Sequence, residues 1–374
     1  MNKVRKSGIE LLKIIAIFAI VISHVTQTLI GKDIAIELIT PIDLNVSTTN
    51  FSYFMLETFR YLGILGNFIF FITSAWFLVE KEKTNGKKII NLILIVDSIS
   101  ILILSVFLIC GFNVTKTNII KSVLPIIFQN NWYITSYIIF LIIYPYLNII
   151  INKSSKEDLL KLNIFIIVIN FGINFLKYDL LYNVKIINFI SIYFLIAFMK
   201  KYMSKFVNNK KMNLRLLGIN LVIFFGLLII TNILGLKFKI FNNQMLRWNS
   251  MNNPFVFMIA ISLFNLCYNL KFTNLTINKI ASLSLLFYLI HENLLIRLYI
   301  RPQVWNYIYN NFGYNFIIVK VLVYSIIYFV ITGIFSYIYY NSIQKIINKI
   351  VNSTYLEKKA NEISVKINRN LKID

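Results

Sequence analysis

The chain has 374 residues, 58% of them hydrophobic and 14% charged, with a mean hydropathy of +0.71. Soluble domains carry about 25% charged residues, so a water-soluble fold is excluded. The net charge of +23 would suit a nucleic-acid binder, but most of the 38 Lys and Arg residues gather in alternate segments between apolar runs. The positive-inside rule of membrane proteins accounts for that pattern, and no nucleic-acid partner is expected.

Only 12 Gly and 5 Pro interrupt the apolar runs. They therefore read as continuous helices and not as the alternating strands of a barrel. The expected fold is all-α, a polytopic integral membrane bundle of about ten transmembrane helices with both termini cytoplasmic. Lys3, Arg5 and Lys6 hold the N-terminus inside. The first run, 9–30, is too long and too polar for a signal peptide and lacks a small-residue cleavage site, so it reads as a retained span. Further spans are expected at 59–79, 89–110, 132–151, 162–177, 186–199, 214–235, 254–270, 280–299 and 316–341. The inner loops include EKEKTNGKK (80–88), NKSSKEDLLK (152–161) and KKYMSKFVNNKKMNLR (200–215). RPQVWNYIYNNFGYN (301–315) reads as an outer loop. Residues 1–344 form one transmembrane domain, and 345–374 form a basic cytoplasmic tail. The localisation this implies is a multi-pass protein of the cell membrane, in contact with its lipid.

The first span, ELLKIIAIFAIVISHVTQ, carries Glu10, Lys13 and His24. Lys13 and His24 are eleven residues apart, three turns and about 20°, so they share one face about 16 Å apart along the axis. A cation in a membrane helix costs about 3 kcal/mol, so this stripe should face a polar interior. Asp97 in NLILIVDSISILI is a second intramembrane acid, without an obvious partner.

Both histidines of the chain, His24 and His291, fall inside spans. A lone buried histidine is commonly structural, but intramembrane ionisable residues default to a functional reading. Ser284, Tyr288 and His291 follow an i, i+4, i+7 spacing on one helix face. Glu292, Asn293, Arg297 and Arg301 follow, an unusually polar end for a span. They form either a pocket open to the outside or a helix end whose arginines reach for the membrane surface. In NFIFFITSAW, Ser74 offers a hydroxyl inside the bundle, while Ser74 and Ala75 equally permit close helix approach. Trp132 and Tyr133 open a span at an interface.

Some chemistries lack support. The two cysteines, Cys110 and Cys267, have no short spacing, and neither a disulfide framework nor a metal site is indicated. There is no Gly-x-Ser-x-Gly elbow and no phosphate-cradling Gly-rich loop.

Four segments in order carry a resemblance. RKSGIELLKIIAIFAIVISHV resembles the opening of the membrane acyltransferase type 3 family, with a basic residue, ten intervening residues and a histidine, here Lys13 and His24. NFIFFITSAWFLV resembles the family's second segment, with Ala75 in place of a glycine. NNWYITSYIIFLIIYPYLN matches its Trp-Phe segment at Trp132, with Tyr133 for Phe. SLSLLFYLIHENLLIR matches its Tyr-x-x-His segment at Tyr288 and His291. One departure is that many members carry Arg-x-x-Arg near the third span, where this chain has Lys87 and Lys88.

The resemblance implies transfer of an acyl group, usually acetyl from acetyl-CoA, to a hydroxyl of a surface or exported polysaccharide. No cofactor would be permanently bound; acyl-CoA is the donor. Lys13, Lys87 and Lys88 would hold its phosphates from the cytoplasmic side. His24, His291 and Glu292 would be catalytic, with His24 either the general base or a carrier of the acyl group. Either Glu292 would orient His291 or Arg297 would neutralise developing charge. Ser74, Trp132, Tyr133, Tyr288, Asn293, Arg297 and Arg301 would line the substrate site. Two other classes remain open from the residues alone, a flippase for a lipid-linked glycan and a structural subunit of an envelope complex. Transporters often show repeated halves and Gly- or Pro-broken helices, and the sequence shows neither.

Overall fold

The computed structural model describes residues 6–29, 51–81, 83–177, 185–238, 248–313 and 315–353, with residues 358, 362 and 365 of the tail. Among them every regular element is helical. Lys3 and Arg5, the segment 30–50 and most of the expected tail lie outside the described residues.

In chain order the helices are α1 (Ser7–Leu29), α2 (Phe51–Leu78), α3 (Gly86–Ile109), α4 (Lys116–Val123) and α5 (Trp132–Lys153). Next comes α6 (Lys156–Ile166), which runs through a π-helical stretch (Ile167–Ile173) into α7 (Asn174–Lys177). Then follow α8 (Lys185–Tyr202), α9 (Ser204–Asn208), α10 (Lys210–Lys237), α11 (Pro254–Tyr268), α12 (Leu275–Ser282) and α13 (Ser284–His291). A second π-helical turn (Ile296–Ile300) leads to α14 (Arg301–Phe312), and the series closes with α15 (Ile317–Asn341) and α16 (Ile343–Val351). Helices occupy all ten stretches read as spans. Among the described residues seven are long and apolar enough to cross a membrane, or eight if the bent pair Leu275–His291 and Ile296–Phe312 is one span. The fold is thus an all-α polytopic membrane bundle.

Three expectations change. The inner segment 152–161 is no open loop: α5 ends at Lys153 and α6 starts at Lys156, because Ser155 accepts from the Asp158 amide and caps a new helix at once. The outer segment 301–315 is mostly the helix α14, with Pro302 in its first turn, where a missing N–H costs nothing. The span 280–299 is broken: the two halves meet at a 63° bend around residues 292–295, although no Gly or Pro stands there. Asn293 stabilises the break by accepting the Leu295 amide through Oδ1 at 2.9 Å. Irregular backbone within a bundle is tolerated where protein covers it, and Asn293, Leu294 and Leu295 are all buried.

The first helix is the centre of the bundle. It packs on α2, α11, α12, α13, α14 and α15. Two glycines let α2 press closely on it: a Cβ at Gly66 would lie 2.7 Å from the Ala16 carbonyl oxygen, and one at Gly63 2.9 Å from Ser23 Cβ. Trp305 of α14, almost fully buried, ties in from the other side by donating Nε1–H to the Val25 carbonyl at 3.0 Å. By contrast, α10 and α15 expose rows of Ile, Val and Phe, such as Val222 and Ile230 on one and Ile326 and Phe335 on the other. Such broad apolar faces suit lipid, not water. The segment beyond 341 packs as well: α16 buries Ile347 and Val351 in the main core and lies against α3.

Candidate active site

The bend after α13 brings the two histidines of the chain together. His24 Nδ1 of α1 lies 3.0 Å from His291 Nε2 and 2.8 Å from Glu292 Oε2. The two imidazoles stack with centroids 5.2 Å apart. His291 is fully buried, and the side chain of His24 is 17% exposed.

The partners fix the protons. His291 Nδ1 lies 2.6 Å from the Phe287 carbonyl, which only accepts, so Nδ1 carries hydrogen and donates. In the neutral ring Nε2 of His291 is then an acceptor. His24 Nδ1 therefore faces two acceptors, that nitrogen and the Glu292 carboxylate, and must itself carry a hydrogen. The remaining nitrogen, His24 Nε2, makes no hydrogen bond among the described residues, and in the neutral ring it is the one with a lone pair.

Glu292 is held from four directions. Arg301 Nη2 donates to Oε2 at 3.1 Å, and Arg297 Nη1 donates to Oε1 at 3.2 Å. His24 donates to Oε2, and Asn131 Nδ2, just ahead of α5, donates to the backbone carbonyl at 3.3 Å. Arg301 is completely buried, and this carboxylate is a partner for its charge. Tyr328 of α15 donates to the His291 carbonyl at 2.8 Å, and Tyr288 sits edge-on to the His291 ring.

His24, His291 and Glu292 also offer three ligand atoms within 4.8 Å of one another, a spacing a metal ion can use. Two guanidinium groups on the same carboxylate argue for the hydrogen-bonded reading, since they repel a divalent cation there.

Beside this cluster lies a cavity of about 290 Å³ between α2, α3, α5, α13 and α16. Ser74, Lys88, Tyr133 and Tyr288 line it. Tyr288 belongs to both places: its ring walls the cavity and flanks His291. Lys88, in the first turn of α3, where its backbone N–H donates to the Asn85 cap, lines the cavity as well. It also lines a second cavity of about 190 Å³ with Lys81 and Lys83.

Of the residues singled out in the sequence, His24, His291, Glu292, Arg297 and Arg301 form one cluster, and Ser74, Lys88, Tyr133 and Tyr288 share one cavity. Four others stand apart. Lys13 pairs with Glu10 at 3.2 Å and does not line the cavity. Lys185 Nζ lies over the Trp132 ring at 4.8 Å. Asn293 caps the helix break, and Lys87 is outside both cavities. Glu292 reaches His24, where the sequence suggested His291. Asp97 is half-buried and makes no ion pair among the described residues. Asn131, Tyr328, Asn91 and Gln344 were missed. Asn91, a polar residue inside an apolar run, carried a signal, whereas Tyr328 looked like any other aromatic of a span.

A family model described as an acyltransferase domain matches residues 6–341. The chain belongs to the acyltransferase type 3 family and is a membrane acyltransferase. No curated protein and no solved structure matches it.

Proposed function

We propose that the protein transfers an acyl group, acetyl in the simplest case, from acyl-CoA to a hydroxyl of a surface or exported polysaccharide at the cell membrane. One observation carries this reading: Glu292 and His291 commit His24 Nδ1 and leave Nε2 as a base at the edge of the buried cluster. A sugar hydroxyl is a weak nucleophile and needs such a base within hydrogen-bond reach.

The step balances simply. His24 Nε2 takes the hydroxyl proton as the oxygen attacks the thioester carbon. The C–O bond forms, the C–S bond breaks, and the same proton passes to the departing sulfur as free CoA thiol. Glu292 balances the imidazolium that forms in between. The guanidiniums of Arg297 and Arg301 on this carboxylate set positive charge in the cluster, which suits the oxyanion of the tetrahedral intermediate. In a second route His24 Nε2 attacks the thioester first and the hydroxyl then displaces imidazole. Lys88, with Lys81 and Lys83, supplies cations for the donor's phosphates.

The test uses membranes containing the protein and radiolabelled acetyl-CoA. Label is expected in glycan, and His24→Ala at equal expression should reduce it by about 10²–10⁴-fold. Undiminished labelling by His24→Ala removes this residue from the mechanism. Rapid quenching that traps label on His24 selects the two-step route.

A further inference from the structure

The cavity beside the histidines contains two side chains whose chemistry is unspent. Asn91 of α3 and Gln344 of α16 both line it. Neither side-chain amide makes a hydrogen bond among the described residues, and the oxygens of both, Asn91 Oδ1 and Gln344 Oε1, are shielded from solvent. Buried carbonyl oxygens without partners are rare, because each has given up water without replacement. The rest of the wall is largely apolar, with Phe70, Leu92 and Ile95.

We propose that Asn91 and Gln344 bind the amides of the donor's pantetheine arm, which lies in this cavity with its thioester toward Tyr288 and its phosphates toward Lys88. This rests on the acyl-CoA reading above. Three observations fit that arm better than a hydrocarbon chain. It carries two secondary amides, one for each unpartnered side chain. An amide both donates and accepts, so the match holds whichever way each side chain is flipped. The wall has the required polarity, since it includes both a lysine, Lys88, and Tyr288, whose ring flanks His291. A lipid tail would leave both amides unpaired. Gln344 lies beyond residue 341, where the family match ends, so α16 adds a donor contact to the shared domain.

The experiment uses the full-length protein in nanodiscs and two donors: acetyl-CoA and S-ethyl thioacetate, an acetyl thioester without amides. The readout is the ratio of kcat/KM for the two donors, in wild type, Asn91→Leu and Gln344→Leu. Each variant should lower the ratio about tenfold through KM for acetyl-CoA, the loss of one hydrogen bond with a partner left unpaired. Calorimetry with free pantetheine should show a matching loss of affinity. An unchanged ratio, or an equal loss with both donors, overturns the assignment, as does binding of a phospholipid or an oligosaccharide in place of pantetheine. Acetylated acyl carrier protein brings the same arm; a higher kcat/KM with it would support the pocket and name the carrier as the source. Wild-type protein that transfers nothing from either donor sinks the acyl-CoA reading itself, whereas active wild type with unaltered variants sinks only this inference.

Discussion

His24 has one ring nitrogen committed and one free, and Glu292 sets which is which. Replacing Glu292 by Gln keeps the shape and can still accept from His24 Nδ1–H and Arg301 at one oxygen, but it turns an amide N–H toward Arg297 and removes the negative charge. The imidazolium that forms as His24 takes the proton then loses its counter-charge, and the base is weakened. Turnover should fall on the order of 10²-fold with little change in KM, measured on monodisperse protein. Both histidines and Glu292 were legible in the sequence because polar residues stand out in apolar runs. Their grouping was not. On a straight helix Arg301, nine residues after Glu292, points to the opposite face. Only the 63° bend and the π-helical turn bring it to 3.1 Å. Lys13 shows the converse: the eleven-residue spacing suggests one stripe with His24, but Lys13 pairs with Glu10 one turn away and does not line the cavity.

At the scale of helices, the position of His24 depends on how closely α2 packs on α1. Gly66→Ala places a methyl against the Ala16 carbonyl and should lower stability by about 1–3 kcal/mol, with reduced turnover as α1 shifts from α13. Gly218→Ala on α10 is the control, since a Cβ there meets nothing within 4 Å. Thermal unfolding in detergent compares the two; equal melting temperatures would contradict the close-packing account. Close approach was one of two equal readings at Ser74 and Ala75, beside a hydrogen-bonding role for Ser74. Ala75 is fully buried, but Gly63 and Gly66 make the tight contact with α1. Composition marks small residues without telling which face they occupy. The positions of the helices were legible from hydropathy; among the described residues seven, or eight with the bent pair, are long and apolar enough to cross a membrane, where the sequence suggested ten. The break at 292–295 was not, because it arises from side-chain capping and ion pairing and not from Gly or Pro.

For the whole molecule, the distribution of lysine and arginine predicts both termini and the loop 80–88 on the cytoplasmic side, and so the end of α3 outside. Cys110, exposed at that end, tests this. In a Cys267→Ser background, a membrane-impermeant maleimide should label it in intact cells. Labelling only after permeabilisation would reverse the orientation. That arrangement would put Lys88 and the donor cavity toward the cytoplasm, while α1 carries His24 toward the opposite surface.

The most direct measurement of the account is a double-mutant cycle on acyl transfer, with His24→Ala, Glu292→Gln and the pair, each as kcat per folded protein. If Glu292 acts through His24, the pair should turn over no more slowly than His24→Ala alone. Additive losses would show that the two side chains work separately, and would contradict the single oriented base on which the mechanism depends.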